Sequence, residues 1–282
     1  MTLSARDWVR QAIERLATAS DTPALDAELL MAHALGLSRS DFLLKGADLD
    51  APASFAPLLE RRMAHEPIAY ILGHQPFWTI DLKVAPGMLI PRGDSETLID
   101  AAVRYFASKA PPARILDLGT GPGTLLLAAL SEFEEAEGVG LERSSVARAM
   151  AEENAALLGL ASRACFIAGD WTQAGWDENL GAPYDLILCN PPYIEAAEQL
   201  DPTVADYEPH EALFAGADGL NDYRIIIPAL SRLLAPGGIA LIEIGWNQAD
   251  SVGQLARDNG FAATLHRDLG GRDRALLLQK RA

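Results

Sequence analysis

Residues 115 to 127 read Ile115-Leu-Asp-Leu-Gly119-Thr-Gly121-Pro-Gly123-Thr-Leu-Leu-Leu127. A run of branched aliphatic residues passes into a glycine-rich turn and then into a second apolar run, the pattern of a buried strand, a tight turn and a helix folded back upon it. Glycine at three alternate positions lets the backbone pass close to whatever lies over the turn. The same alternation continues downstream. Strand-like runs at 139–141, 165–168, 186–189 and 239–244 are separated by helical stretches, which predicts an α/β domain with a mainly parallel sheet. Two last runs, 262–266 and 275–279, flank Gly270-Gly271 and are short enough to form an antiparallel pair.

Upstream the period changes. Trp8, Val9, Ala12, Ile13 and Leu16 follow helical spacing behind Ser4 or Asp7, and Leu25, Leu29, Leu30 and Ala34 share a face between Pro23 and Gly36. Stretches 38–44 and 52–65 read as two more helices. Residues 1–73 therefore predict a small helical domain. Residues 74–92 alternate (Phe77, Thr79, Leu82, Val84) up to Ala85-Pro86-Gly87 and predict a β-hairpin linker, which leaves 93–282 for the α/β domain.

Lys and Arg number 23 against 39 Asp and Glu, a net charge of −16. Such a field repels phosphate backbones, so a nucleic-acid partner is disfavoured and a protein substrate with a basic loop suits better. Cys165 and Cys189 lie in apolar runs and predict reduced packing thiols. The five histidines lack metal-ligand spacing, and no metal is expected. No apolar run is long enough for a membrane span, and the first residues lack a signal-peptide core, so a cytoplasmic protein that does not contact membranes is expected; a monomer is a separate expectation.

The turn's spacing is G-x-G-x-G, and Pro122 stands where a pyrophosphate-binding loop would offer an N–H. S-adenosylmethionine, which has no phosphates, fits that turn better than a dinucleotide. Asp117 can accept from its ammonium group, with Gly119, Thr120, Gly121, Pro122 and Gly123 passing beneath it. Glu142 ends the next strand, where a carboxylate can accept both ribose hydroxyls; it reads equally as a helix N-terminal charge beside Arg143. Asp170 and Trp171 end the third strand and can meet the adenine amino group and ring, or serve as a turn aspartate and an anchoring indole.

After the apolar run 184–189 comes Asn190-Pro191-Pro192-Tyr193. Two prolines fix the backbone and remove two donors, so local carbonyls stand without competing N–H groups. Asn190 adds an acceptor and Tyr193 a flat face; together they can grip a planar NH2 group. Asn190, Pro191 and Tyr193 are the candidate catalytic residues, Pro192 completes the substrate site, and Asn190 also borders the cofactor. A stacking role for the Tyr193 ring predicts little effect from Tyr193→Phe. Asp94 or Ser95 can cap the helix that follows, and Glu243 at a strand end can serve the site or satisfy a backbone donor.

With Ile90-Pro-Arg-Gly-Asp-Ser-Glu96, Asp117-Leu-Gly-Thr-Gly121, Tyr207-Glu-Pro209, Ala217-Asp-Gly-Leu220, Tyr223-Arg224, Glu243-Ile-Gly245 and Gln248, the chain resembles, over nearly its whole length, the release-factor glutamine methyltransferases of the HemK/PrmC type. The resemblance implies a Rossmann-like class I methyltransferase domain with a seven-stranded, mostly parallel sheet. It implies transfer of a methyl group from S-adenosylmethionine to N5 of the glutamine in the Gly-Gly-Gln loop of peptide-chain release factors. It also implies that the helical domain recognises that substrate. Gly119 to Gly123, Glu142, Trp171 and Asn190 fall on the family's cofactor positions, and Asn190 to Tyr193 on its glutamine site. Gly93 stands where the family usually has proline, and Glu142 where it usually has aspartate. Glutamine methylation of a ribosomal protein and adenine-N6 methylation of nucleic acid are the rival activities, since each acceptor is a planar amide or amine.

Overall fold

The computed structural model describes residues 4–46 and 49–281; Met1, Thr2 and Leu3 of the expected helical domain lie outside them. The described chain forms two compact units.

The first runs to His74 and includes Leu200–Tyr207. Its helices are α1 (Ala5–Leu16), α2 (Pro23–Leu35), α3 (Arg39–Lys45), α4 (Phe55–Met63) and α5 (Ile68–Leu72). The Ser4 hydroxyl caps α1 by accepting from Asp7 N–H, and Gly36 closes α2 at φ 66°, where a side chain would be strained. Leu16, Leu30, Met31, Phe55 and Leu59 meet in the core. A buried ion pair crosses it: Arg62 Nε donates to Asp26 Oδ2 at 2.7 Å, and the Ser20 and Thr22 hydroxyls complete that carboxylate. Helix α5 escaped the sequence reading because five residues after Pro67 are too few to show a period.

The second unit opens with a hairpin, β1 (His74–Phe77) and β2 (Ile80–Lys83), followed by α6 (Glu96–Phe106), β3 (Arg114–Leu118), α7 (Thr124–Glu132), β4 (Glu137–Glu142), α8 (Ser145–Leu157), β5 (Ala164–Ala168) and β6 (Tyr184–Cys189). The chain then contributes α9 (Pro202–Ala205) to the helical unit and returns for α10 (Asn221–Leu233), β7 (Leu234–Glu243), α11 (Ala249–Asp258), β8 (Phe261–Arg267) and β9 (Asp273–Lys280). The excursion 200–207 is held in the helical unit in part by the Tyr207 hydroxyl, which donates to Ala64 O at 2.6 Å. Sequence placed it in the α/β domain because a loop insertion has no period of its own. The hairpin turns at Trp78-Thr79, with Trp78 at φ 53°, and not at Ala85-Pro86-Gly87. The latter residues instead start a strap that runs to Arg92.

The seven-stranded sheet has the order β5-β4-β3-β6-β7-β9-β8, with β9 antiparallel to both neighbours. Alternation divides each strand between two cores. Ile115, Leu186, Leu188, Ile239 and Leu241 pack with α6 and α7, whereas Leu116, Leu118, Ile187, Cys189, Ala240 and Ile242 pack with α10 and α11. By the same period Asp117, Asn190 and Glu243 fall on the α6 side at the carboxyl ends of their strands. Cys189 is buried as expected; Cys165 is exposed, because β5 is the sheet's edge strand.

Candidate active site

The sheet order turns back at β3, which lies between β4 and β6, and a cleft of about 1000 Å³, open mouth included, lies at these carboxyl ends. Loops leave in opposite directions at such a point and open a crevice between them. Asp117, Gly119, Thr120, Gly121, Pro122, Glu142, Asp170, Trp171, Asn190 and Pro192 line it. Gly123, Pro191 and Tyr193 do not. Gly123, at φ 92°, starts α7 with no room for a β-carbon, which would stand 2.7 Å from Leu127 Cδ1.

The glycine turn is shaped by its neighbours. Gly119 and Thr120 both donate their N–H to Leu141 O, at 2.9 and 3.0 Å. Glu142 Oε2 accepts from Gly121 N–H at 2.9 Å and Oε1 from Ser144 N–H at 2.8 Å. The side chain expected to reach a ribose therefore also fixes the turn. From the other side, Asn154 Nδ2 donates to Pro122 O (2.9 Å) and to Lys83 O (3.1 Å), while its Oδ1 accepts from Lys83 N–H (2.8 Å). This buried asparagine joins the hairpin to the turn, a link no local spacing announces.

Asp117 is fully enclosed. Its Oδ2 accepts from the Thr120 hydroxyl at 2.6 Å and from Leu126 N–H at 3.2 Å, while Oδ1 has no partner. Burial pushes this carboxyl up to about 7 against the pull of those two bonds. A lone buried acceptor bordering a cleft suits a cationic amino group, so the residues present fit S-adenosylmethionine. Trp171 forms part of the wall: its ring stands over Gly119, where a β-carbon would lie 2.9 Å from Cη2, and its Nε1 donates to Asp222 Oδ1 at 2.6 Å. Asp222 also lines the cleft, and burial raises its carboxyl. Nothing in the sequence pattern singles it out, since it sits in the first turn of α10, where an acidic residue is ordinary. Asp170 Oδ1 is occupied by the N–H and hydroxyl of Thr172, an aspartate turn.

At the other end, Asn190 lines the cleft and its Nδ2 donates to Ser95 Oγ at 3.2 Å, so the amide oxygen is the group that Ser95 does not engage. Tyr193 turns away from it. Its hydroxyl donates to Glu243 Oε1 at 3.2 Å, and burial raises the phenol strongly. Its backbone oxygen accepts from Gln248 Nε2 at 3.0 Å, and its N–H donates to Leu213 O at 3.2 Å. The side chain expected to offer a free aromatic face is thus an anchor of the loop. Neither Asp94 nor Ser95 caps α6 with its side chain; Asp94 pairs with Arg274 Nη2 at 3.1 Å. The strap is fixed by Glu208, a buried carboxylate that accepts from Ile90 N–H at 3.0 Å and from Arg92 Nη2 at 2.5 Å. Among the described residues no group of three or more His, Cys, Asp or Glu is placed to hold a metal ion, and no helix is long and apolar enough to cross a membrane.

Residues 7–73 match the family model of the PrmC N-terminal domain, and residues 110–272 match that of a methyltransferase domain. The release factor glutamine methyltransferase of Rhodospirillum rubrum is 41% identical over 268 residues, covering 93% of this chain and 80% of that protein. The chain belongs to the release factor glutamine methyltransferase family. The same-named protein of Cereibacter sphaeroides is 40% identical over 279 residues, 96% of this chain and 97% of its own. Among solved structures, the hMettl16 catalytic domain in complex with the MAT2A 3'UTR hairpin 6 superposes with a TM-score of 0.56 at 15% identity, covering 73% of this chain and 77% of that one. At that identity the likeness shows only the class I methyltransferase fold, which members of the release factor glutamine methyltransferase family share.

Proposed function

We propose that the protein transfers a methyl group from S-adenosylmethionine to N5 of the glutamine in the Gly-Gly-Gln loop of peptide-chain release factors. Family membership supports the substrate. The observation that carries the chemistry is the Asn190 amide, which lines the same cleft as Asp117 and whose oxygen is the group that Ser95 does not engage.

When bound, S-adenosylmethionine supplies an electrophilic methyl on sulfur. Asp117 would hold its amino group, Glu142 its ribose, and Trp171 and Asp170 its adenine, with the turn from Gly119 to Gly123 completing the site. Asn190 Oδ1 and the Pro191 carbonyl each accept one N–H of the substrate amide. An amide nitrogen is a poor nucleophile because its lone pair is delocalised into the carbonyl; two fixed acceptors orient it and stabilise the positive charge it gains. The nitrogen exchanges one hydrogen for the methyl group, and that proton leaves to water at the mouth of the cleft. Pro192 keeps the turn rigid.

Residues 1–73 together with 200–207 form the substrate-recognition domain, 74–92 the linker, and 93–199 with 208–282 the catalytic domain. The protein acts as a cytoplasmic monomer on protein, since the net charge of −16 opposes a phosphate backbone. Labelled S-adenosylmethionine is offered with release factor, ribosomal protein or nucleic acid, and the product is mapped by mass spectrometry. Label on the Gly-Gly-Gln glutamine is expected; label only on either other substrate would refute the assignment.

A further inference from the structure

Glu243 lies at the end of β7, 1% exposed, on the α6 side of the sheet beside the start of the acceptor loop. It is not among the residues that line the cleft. Its Oε1 accepts from Tyr193, and its Oε2 has no hydrogen-bond partner. Retaining an incompletely satisfied buried carboxylate costs stability, which calls for a use. The side chains at both ends of Asn190-Pro-Pro-Tyr193 lead to it: Tyr193 by its hydrogen bond, and Asn190, which the pairing of Cys189 with Ile242 sets beside it, through its bond to Ser95, a hydroxyl close enough to the Glu243 carboxylate to hold its proton affinity down.

We propose that Glu243 is a positioning residue for methyl transfer, which through Ser95 and Tyr193 fixes both ends of the acceptor turn and sets which side of the Asn190 amide meets the substrate. The inference rests on the activity proposed above. An asparagine amide has nearly the same shape after a half-turn, so only hydrogen bonding decides whether oxygen or NH2 faces the cleft. A hydroxyl has one proton to give. With an ionised Glu243 beside it, Ser95 directs that proton to the carboxylate and keeps only lone pairs for Asn190, which must then offer Nδ2. Without the negative charge, Ser95 is free to donate to Asn190 Oδ1. The amide then turns over and meets the substrate's NH2 with donors against donors.

Several ionisable groups share the site. Asp94 precedes α6, Arg274 comes from β9, Tyr193 from the loop and Cys189 from β6, while Tyr223 of α10 donates to the Glu243 backbone oxygen at 2.9 Å. Burial and Asp94 push the Glu243 carboxyl up, and Ser95, Arg274 and Tyr193 hold it down, leaving it at about 7.

The test uses the full chain with saturating S-adenosylmethionine and a release factor. Glu243→Gln should lower kcat about 10- to 100-fold with cofactor Kd and substrate KM changed less than about threefold. Wild-type kcat should fall as pH drops through about 7, where Glu243 gains its proton, and the variant should lack that limb. Ser95→Ala removes the link without touching the carboxylate and should lower kcat similarly. A readout independent of turnover is the Asn190 side-chain NH2 in nuclear magnetic resonance: its contact with the Ser95 methylene should be present in wild type and lost in Glu243→Gln. Unchanged kcat, an unchanged acid limb or a retained Asn190 contact in folded Glu243→Gln would overturn the proposal. If wild type fails to methylate release factor, the activity assignment falls, and the resonance contact still decides the role of Glu243.

Discussion

Trp171 Nε1 donates to Asp222 Oδ1 at 2.6 Å, and this bond holds the indole over Gly119 as one wall of the cleft. The contact joins the loop after β5 to the first turn of α10, two segments that flank the cofactor cavity. Asp222→Ala should free the indole and weaken S-adenosylmethionine about tenfold, whereas Asp222→Asn, which keeps an acceptor, should cost less than about threefold. Isothermal titration calorimetry separates the two.

Gly119→Ala should act on the same wall from below. The added methyl would stand 2.9 Å from Trp171 Cη2 on a residue at φ 72°, so both the ring and the turn must shift. Loss of cofactor binding by at least about 30-fold is expected, with a fall in melting temperature of a few degrees, about that of a ~1 kcal/mol loss.

Asn190→Ala should abolish most methyl transfer, about 1000-fold in kcat, while cofactor affinity falls only a few-fold. Radiometric transfer and calorimetry on one preparation check both. Equal losses would mean that Asn190 serves chiefly the cofactor. Tyr193→Phe, mild on the sequence reading, should now cost about tenfold in kcat, because its hydroxyl anchors the loop to Glu243.

The Asp117 carboxyl, raised to about 7 by burial, gives pH effects of opposite sign on stability and binding. Between about pH 4 and 7 the folded state holds a proton that the unfolded chain has released. Apo-protein stability should therefore fall as pH rises through that window and level off above it. Asp117→Asn should stabilise the apo-protein at pH 8 by about 2 kcal/mol and remove its contribution to that slope. Cofactor affinity runs the other way: it should weaken by up to about tenfold per unit as pH drops below about 7, since the protonated acid no longer pairs with an ammonium.

In the helical unit, Arg62→Met should leave Asp26 buried without its cation and cost about 3 kcal/mol, read by chemical denaturation. Asp26→Leu combined with Arg62→Met should recover most of that loss, because removing both charges leaves no orphan.

Periodicity and turn chemistry made much of the fold legible: the alternation of strands and helices from Ile115 onward, the helical start behind Ser4, and the glycine turn beside a short strand. They also named ten of the residues that line the cleft, because Asp117, Glu142, Asp170 and Asn190 all stand at strand ends, where a parallel sheet gathers its functional groups. Period could not show which partner each group chooses. Ser95 meets Asn190 across 95 residues, Tyr193 meets Glu243 across 50, and Asn154 meets Lys83 across 71. Hydrogen bonds of that span depend on where the sheet brings strand ends together, so only the tertiary structure decided that Tyr193 is an anchor, that Glu142 and Asn154 shape the cofactor turn, and that a buried carboxylate stands behind the acceptor loop.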